Sequence, residues 1–195
     1  MAIILASASS IRRRLLENAG VALSCEKPLV DENELKDRAG ALDPEALAQH
    51  LATAKCVSVS AKHPGDLVIG ADQVLSFSGR TYDKPENLEE ARLHLAELRA
   101  QTHALVSAIC CARRGGVLWR YTDRAELTMR RFSDRFLDDY LAVVGADATT
   151  SVGAYKLEGL GIQLFERIKG DYFTILGLPL PPLLEFLRST GEIAS

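Results

Sequence analysis

The chain has 195 residues, with 23 lysines and arginines against 26 aspartates and glutamates, for a formal charge of −3. At 47% hydrophobic and 25% charged residues it has the composition of an ordinary folded protein, which excludes disorder and low complexity. The slight acidic balance argues against a dedicated duplex-DNA binder, which carries a basic excess to displace counterions, and leaves room for a small anion held by a local cluster.

The length suits one domain or two tightly joined lobes, and residues 1–195 are read as one domain. A chain of this size buries roughly 70% of its unfolded surface, so it needs no disulfide or structural metal to hold together. No stretch approaches the ~20 apolar residues of a membrane span. Met1-Ala2-Ile3-Ile4-Leu5-Ala6 is too short for a signal-peptide core, has no basic residue before it and reads as a buried strand. Cys25, Cys56, Cys110 and Cys111 form no C-x-x-C and no metal-ligand spacing. Cys110 and Cys111 alternate faces in an apolar run, so reduced structural thiols in a cytoplasmic protein are favoured over redox or zinc roles.

A first strand is expected over Ala2–Ala6, then a serine-rich turn and a helix from Ile11 to Ala19, with Ser9 or Ser10 as N-cap and Gly20 as the stop. A second strand is expected over Ala22–Lys27, and Val30–Gly40 reads as acidic and irregular. Asp43-Pro44 opens a long helix on which Leu47, Leu51, Ala54 and Ala61 keep helical spacing, placing Lys55 near the apolar stripe. Asp66–Ala71 is a short strand ending at Asp72, and Val74–Phe77 continues extended to a turn at Ser78-Gly79. Asn87 and Glu90 suit a capping box for a helix with Leu88, Ala91, Leu95 and Leu98 on one face. His103–Ala112 and Val117–Met129 read as a hairpin turning at Arg113-Arg114-Gly115-Gly116. Ser133 caps a helix carrying Leu137, Tyr140, Leu141 and Val144. The chain finishes with Leu164–Ile168, a turn at Lys169-Gly170, the segment Tyr172–Leu176 and a proline-started helix through Leu187. Interleaved helices and strands with hairpins imply a mixed-sheet α/β or α+β protein. No G-x-G-x-x-G follows the first strand, which disfavours a Rossmann dinucleotide site.

Three segments could carry chemistry. In Ser7-Ala8-Ser9-Ser10-Ile11-Arg12-Arg13-Arg14 a strand ends, hydroxyls follow, and guanidinium groups enter the first turn of a helix. Helix N-termini offer unpaired N–H groups to anions, and arginine forks match phosphate oxygens. Basic residues there oppose the helix dipole unless an anion compensates; a solvated arginine face with a serine cap fits the same pattern. In Ile69-Gly70-Ala71-Asp72-Gln73 a carboxylate just past an apolar strand can hold Mg²⁺ or activate water. Asp31 and Glu32 add two loop carboxylates, and Lys55 and Lys84 add cations suited to metal-assisted phosphoryl chemistry; a strand-end aspartate and ordinary surface lysines are the plain alternative. The third segment, Gly153-Ala154-Tyr155-Lys156-Leu157-Glu158-Gly159-Leu160-Gly161, fits either close backbone approach to a ligand or a sharp loop, and it is not a P-loop. His50, His63, His94 and His103 form no local ligand pair and suit structural roles.

These segments, in this order, resemble the Maf family of nucleoside triphosphate pyrophosphatases. The matching pieces are Leu5-Ala6-Ser7-x-Ser9-x-x-Arg12-Arg13-x-Leu15-Leu16, Val30-Asp31-Glu32, Ala54-Lys55, Ile69-Gly70-Ala71-Asp72-Gln73-Val74, Lys84-Pro85, Gly153-Ala154-Tyr155-Lys156-Leu157-Glu158-Gly159 and Gly177-Leu178-Pro179-Leu180. The resemblance implies an inosine triphosphate pyrophosphatase-like fold, with two lobes flanking a nucleotide cleft. It implies Mg²⁺- or Mn²⁺-dependent cleavage between the α- and β-phosphates, giving a nucleoside monophosphate and pyrophosphate. Asp72 would be the proton acceptor that activates water, and Glu32, with Asp31 and Asp72, would hold the metal. Ser7, Ser9, Arg12, Arg13, Lys55 and Lys84 would grip and neutralise the triphosphate. At the three positions that divide the family by base, this chain has Ile11, Gln73 and Glu158. Gln73 and Glu158 match the 7-methylguanosine triphosphate branch rather than the thymidine/uridine branch. Ile11 stands where an aromatic residue would stack on the methylated base, Ser10 stands where the family usually has proline, and Tyr155 matches the pyrimidine branch. The resemblance further implies a homodimer, a nucleoside triphosphate rather than a nucleic-acid polymer as partner, and house-cleaning of modified nucleotides. Its rivals are thymidine or uridine triphosphate as substrate, and a nucleotide-binding role in septum formation.

Overall fold

The computed structural model describes every residue except Met1, Ala41 and Ser195. In chain order the elements are β1 (Ile3–Ala6), α1 (Ser10–Asn18), β2 (Ser24–Cys25), α2 (Glu32–Ala39), α3 (Pro44–Ser60), β3 (Leu67–Phe77), β4 (Arg80–Tyr82) and α4 (Leu88–Leu98). They continue with β5 (Thr102–Arg113), β6 (Gly116–Met129), α5 (Asp134–Val144), β7 (Phe165–Lys169), α6 (Tyr172–Ile175) and α7 (Leu180–Ser189). Short 3₁₀ turns occupy Gly145–Thr149, Val152–Ala154 and Leu160–Leu164. The strands are ordered β2-β1-β3-β5-β6-β7, with β4 also paired to β3. β1 runs parallel to β2 and β3, whereas β4 and β7 pair antiparallel. This is the mixed α/β sheet expected from the alternation of elements. No helix among the described residues is long and apolar enough to cross a membrane.

The chain forms two compact units. The first draws on Met1–Gln73, Ser107–Asp123 and Gly177–Ser195, the second on Val74–Val106 and Arg124–Leu176. In the first unit, all four residues of β1 are buried, which is why the opening apolar run reads as a strand. Ser9 caps α1 by accepting from the Arg12 N–H, and Asp43 caps α3, with Pro44 in its first turn. α3 buries Leu47, Leu51, Cys56 and Val59, together with Lys55. It lies directly on β3 at Gly70, where an added Cβ would fall 2.5 Å from the Ala52 carbonyl oxygen and 2.6 Å from Cys56 Cβ. Only glycine permits that approach. All four cysteines are free thiols, and Cys56 Sγ donates to the Val68 carbonyl (3.1 Å).

Three expectations are corrected. Val30–Gly40 is not irregular: Glu32–Ala39 is helical, with Asp31 accepting from the Asn33 and Glu34 N–H groups. Glu32 and Glu34 in the first turn and Lys36 and Arg38 in the last complement the dipole, but no residue of α2 is buried, so the helix has no apolar stripe to reveal it. The second strand shrinks to Ser24–Cys25, and the strand expected to end at Asp72 joins the expected extended Val74–Phe77 in one strand, Leu67–Phe77.

The second unit holds a core of Leu75, Leu95, Leu98, Leu105, Leu127, Met129, Leu137 and Tyr140, among others. Asn87 caps α4 by accepting from the Glu90 N–H, while Glu90 accepts from the Glu86 N–H rather than from its cap. Ala91, Leu95 and Leu98 are buried but Leu88 is exposed. Tyr172–Ile175 forms a single helical turn, capped by Asp171.

Buried in the second unit, the His103 imidazole meets the Tyr155 hydroxyl (Nε2 to Oη, 2.6 Å). Burial pushes its pKa down from 6.5 to about 4. The unfolded chain therefore takes up a proton near pH 6.5 that the folded chain refuses until about pH 4. The stability this neutral ring contributes is complete above the unfolded value and is lost as pH falls to the folded one. Denaturant unfolding should show wild type losing about 3 kcal/mol more than His103→Gln between about pH 7 and pH 4. Equal losses in the two proteins would contradict the assignment.

Candidate active site

The turn from β1 into α1 is built by its own hydroxyls. Ser7 is buried, and its Oγ accepts from the Ser9 N–H (3.1 Å), while Ser9 Oγ accepts from the Arg12 N–H (3.4 Å). Arg12 then turns inward. Its Nε donates to the Gly177 carbonyl (2.8 Å) and its Nη1 to the Ala71 carbonyl (2.9 Å). Burial lowers the Arg12 pKa, and the negative fields of Asp72 and Glu32 raise it. Arg13 instead lies on the exposed side of α1, its Nε paired with Glu17 at 2.7 Å. One helical position separates an inward guanidinium from a solvated one, so the solvated arginine face describes Arg13 and not Arg12. Ile11 is half-buried on the same turn.

The contact of α3 with Gly70 sets Lys55 beside the continuation of β3. Lys55 Nζ lies 2.6 Å from Asp72 Oδ1 and 2.9 Å from Glu32 Oε1. Lys55 and Asp72 are 7% and 6% exposed, which makes theirs a desolvated ion pair, whereas the Glu32 side chain is half open to solvent. Burial pushes the Asp72 carboxyl above its ordinary value, and the Lys55 ammonium and Arg12 guanidinium pull it back. Asp31 is not brought into this cluster: its Oδ1 is the N-cap acceptor of α2. That cap in turn sets Glu32 at the first residue of the helix.

Glu32 and Asp72 thus converge on one cation. Among the described residues no group of three or more His, Cys, Asp or Glu could hold a metal ion by itself. Two carboxylates are nevertheless the donor set of an ion such as Mg²⁺, which completes its octahedron with phosphate oxygens and water. The residues present fit a cation that arrives with a phosphorylated substrate.

Next to Asp72, the half-buried Gln73 donates from Nε2 to Ser107 Oγ (3.0 Å) on β5, and Ser107 is fully buried. Sequence reasoning missed Ser107; its one signal is a lone hydroxyl within the apolar run Ala104–Ala112. It also missed the Ala71 and Gly177 carbonyls, which no side-chain pattern announces. Lys84 and Glu158 belong to the second unit, and both are exposed. Glu158 sits in the glycine-rich segment, which is a tightly packed loop. A Cβ at Gly153 (φ +78°) would fall 2.6 Å from Leu75 Cδ1 and Tyr155 Cε1, and one at Gly161 would fall 2.8 Å from the Lys156 nitrogen. At these two glycines the missing Cβ makes room for the loop itself.

Removing Lys55 leaves Asp72 buried without its nearest counter-charge, the costly way to break such a pair. Lys55→Met should therefore destabilise the fold by about 3–5 kcal/mol, seen as a thermal midpoint lowered by roughly 10 °C. Adding Asp72→Asn to that variant should restore part of the loss. A Lys55→Met midpoint equal to wild type would show that the pair carries no such energy.

Comparison with known proteins places the chain in a family. A nucleoside triphosphate pyrophosphatase of Paramagnetospirillum magneticum is 50% identical over 192 residues, covering 97% of this chain and 99% of that one. A 7-methyl-GTP pyrophosphatase of Rhizobium meliloti is 50% identical over 193 residues, covering 98% and 97%. Among solved structures, a dITP/XTP pyrophosphatase from Mycobacterium abscessus aligns over 98% of this chain and 95% of that one, with 17% identity and a TM-score of 0.42. The Maf-like protein model matches residues 2–190, and with relatives of this identity over almost its whole length, the chain belongs to the Maf family.

Proposed function

We propose that this protein is a nucleoside triphosphate pyrophosphatase that cleaves the α–β phosphate bond with the help of Mg²⁺ or Mn²⁺, releasing a nucleoside monophosphate and pyrophosphate. The observation that carries the reading is the buried Lys55 ammonium shared by Asp72 and Glu32, with the Arg12 guanidinium on the carbonyl of the residue before Asp72. A triphosphate needs cations to neutralise its oxygens, and an attacking water needs a base. In this reading Asp72 takes the proton of the attacking water. Its raised pKa makes it a stronger base than a solvated aspartate, while the Lys55 and Arg12 charges keep it from holding its proton permanently.

Arg12 and Lys55 grip phosphate oxygens, helped by the N–H groups and hydroxyls at the start of α1, where Ser7 and Ser9 stand. Glu32 and Asp72 would hold the divalent cation, which would neutralise charge and polarise the phosphate. Lys84 and Glu158 enter the reading through the family resemblance, Lys84 as a further phosphate cation and Glu158 as a reader of the base. The favoured substrate is 7-methyl-GTP, the nucleotide in the name of several relatives at about 50% identity. The Glu158 carboxylate can accept from both N1–H and N2–H₂ of a guanine, a pairing that uracil or thymine, with a single N3–H, matches less well.

The test is pyrophosphate release across a panel of nucleoside triphosphates with added Mg²⁺ or Mn²⁺. The expected result is pyrophosphate rather than orthophosphate, with 7-methyl-GTP turned over best. Strong turnover of UTP with none of the methylated nucleotide would sink the substrate assignment, and orthophosphate as the product would sink the reaction. Glu158→Gln should lower the preference for 7-methyl-GTP over UTP about tenfold, the equivalent of ~1.4 kcal/mol. An unaltered substrate profile would remove Glu158 as the base reader.

A further inference from the structure

The Gly177-Leu178-Pro179-Leu180 segment matches the family, yet neither side chains nor spacing give it a chemical task. Its backbone does. We propose that Gly177 is a positioning residue for Arg12, clamping the guanidinium beside Asp72 so that it meets the triphosphate already oriented; this rests on the pyrophosphatase reading above.

Three observations combine. First, Arg12 Nε donates to the Gly177 carbonyl at 2.8 Å and Nη1 to the Ala71 carbonyl at 2.9 Å. Two bonds from one rigid, planar group to two different chain segments fix both its position and its plane. Second, Gly177 has φ +90°, a conformation that L side chains rarely adopt, and a Cβ there would fall 3.3 Å from Nη2 and 3.4 Å from Nε. Glycine thus suits the backbone angle, and a side chain there would press on the guanidinium and shift it by a few tenths of an ångström. Third, Leu178 is fully buried and Leu180 nearly so, which anchors the segment in the core and keeps the accepting carbonyl in place.

The choice of partners matters for charge. Carbonyl oxygens orient a guanidinium without neutralising it, whereas a carboxylate in their place would cancel the charge that phosphate needs. Two of the five N–H donors are committed in this way, and among the described residues the other three have no hydrogen-bond acceptor. Arg12 also stays partly exposed as a residue. The Ala71 end of the clamp immediately precedes Asp72, so the same backbone segment sets the arginine and the base at a fixed separation. Such pre-organisation acts on the developing charge of the transition state more than on ground-state affinity.

A double-mutant cycle of Gly177→Ala and Arg12→Lys tests this, read by steady-state pyrophosphate release from the best substrate and by thermal unfolding. Gly177→Ala should lower kcat on the order of 10- to 100-fold with KM changed less than about threefold, as expected when a reacting group is misplaced. In the Arg12→Lys background the same change should lower kcat less than about twofold, because residues acting through one another are not additive. An equal factor in both backgrounds, or an unchanged kcat in Gly177→Ala, would overturn the proposal. If Gly177→Ala is unfolded at the assay temperature, the same cycle is read at a temperature below its thermal midpoint, with the same supporting and overturning outcomes. Wild-type protein that releases no pyrophosphate from any nucleoside triphosphate overturns the functional reading and this inference together. Wild-type turnover with an additive cycle overturns this inference alone.

Discussion

Lys55 and Asp72 form an ion pair at 2.6 Å with both partners more than nine-tenths buried, and most of what is notable in the first unit follows from that pair. Taking two charges out of water is costly, and only close geometry with further polar partners offsets the cost. The geometry here depends on Gly70, because α3 reaches β3 only where no Cβ intervenes. The further partners are Glu32 on the ammonium and the fields of Arg12 and Glu32 on the carboxylate. A cluster of this kind is a poor choice for stability alone, since well-packed apolar residues often do as well. In the proposed reading, the cluster keeps the base and a phosphate-binding cation together at one place.

The formal charge of −3 conceals this arrangement. In the first unit, two buried or half-buried cations, Arg12 and Lys55, stand among the carboxylates Glu32 and Asp72, so local charge nearly cancels. What distinguishes the site is the partner of each group. Lys55 is held by carboxylates and Arg12 by carbonyl oxygens. The second keeps its charge while giving up its freedom.

Much of the fold was legible in the sequence where burial and local caps agree. The runs that became β1, β5 and β6 are apolar or alternating, and Ser9, Asp43, Asn87 and Ser133 each cap the helix that follows them. α2 escaped because helix recognition leaned on an apolar stripe, and this helix has none; its evidence lies in the Asp31 cap and in the charges at its two ends. The break expected at Asp72, between Asp66–Ala71 and the extended Val74–Phe77, is absent although charged residues are seldom buried. Here Lys55 neutralises Asp72, so the strand continues. In the site, Asp72, Lys55, Glu32 and Arg12 were legible as residue types at telling places. Arg13 and Asp31 were not separable from them, because facing inward or outward in α1, and capping or coordinating at α2, are decided by tertiary partners. The carbonyls of Ala71 and Gly177 could not be read at all, since every residue carries one and only the fold selects which is used.

The most direct test of the central claim is single-turnover hydrolysis by Asp72→Asn, with substrate binding measured by calorimetry on the same protein. Asparagine keeps the shape and a hydrogen bond to its neighbours but cannot take a proton from water. The expected result is measurable binding of the triphosphate with pyrophosphate release reduced on the order of a hundredfold or more. Turnover at the wild-type rate would remove Asp72 as the base and leave the buried pair with a structural role only.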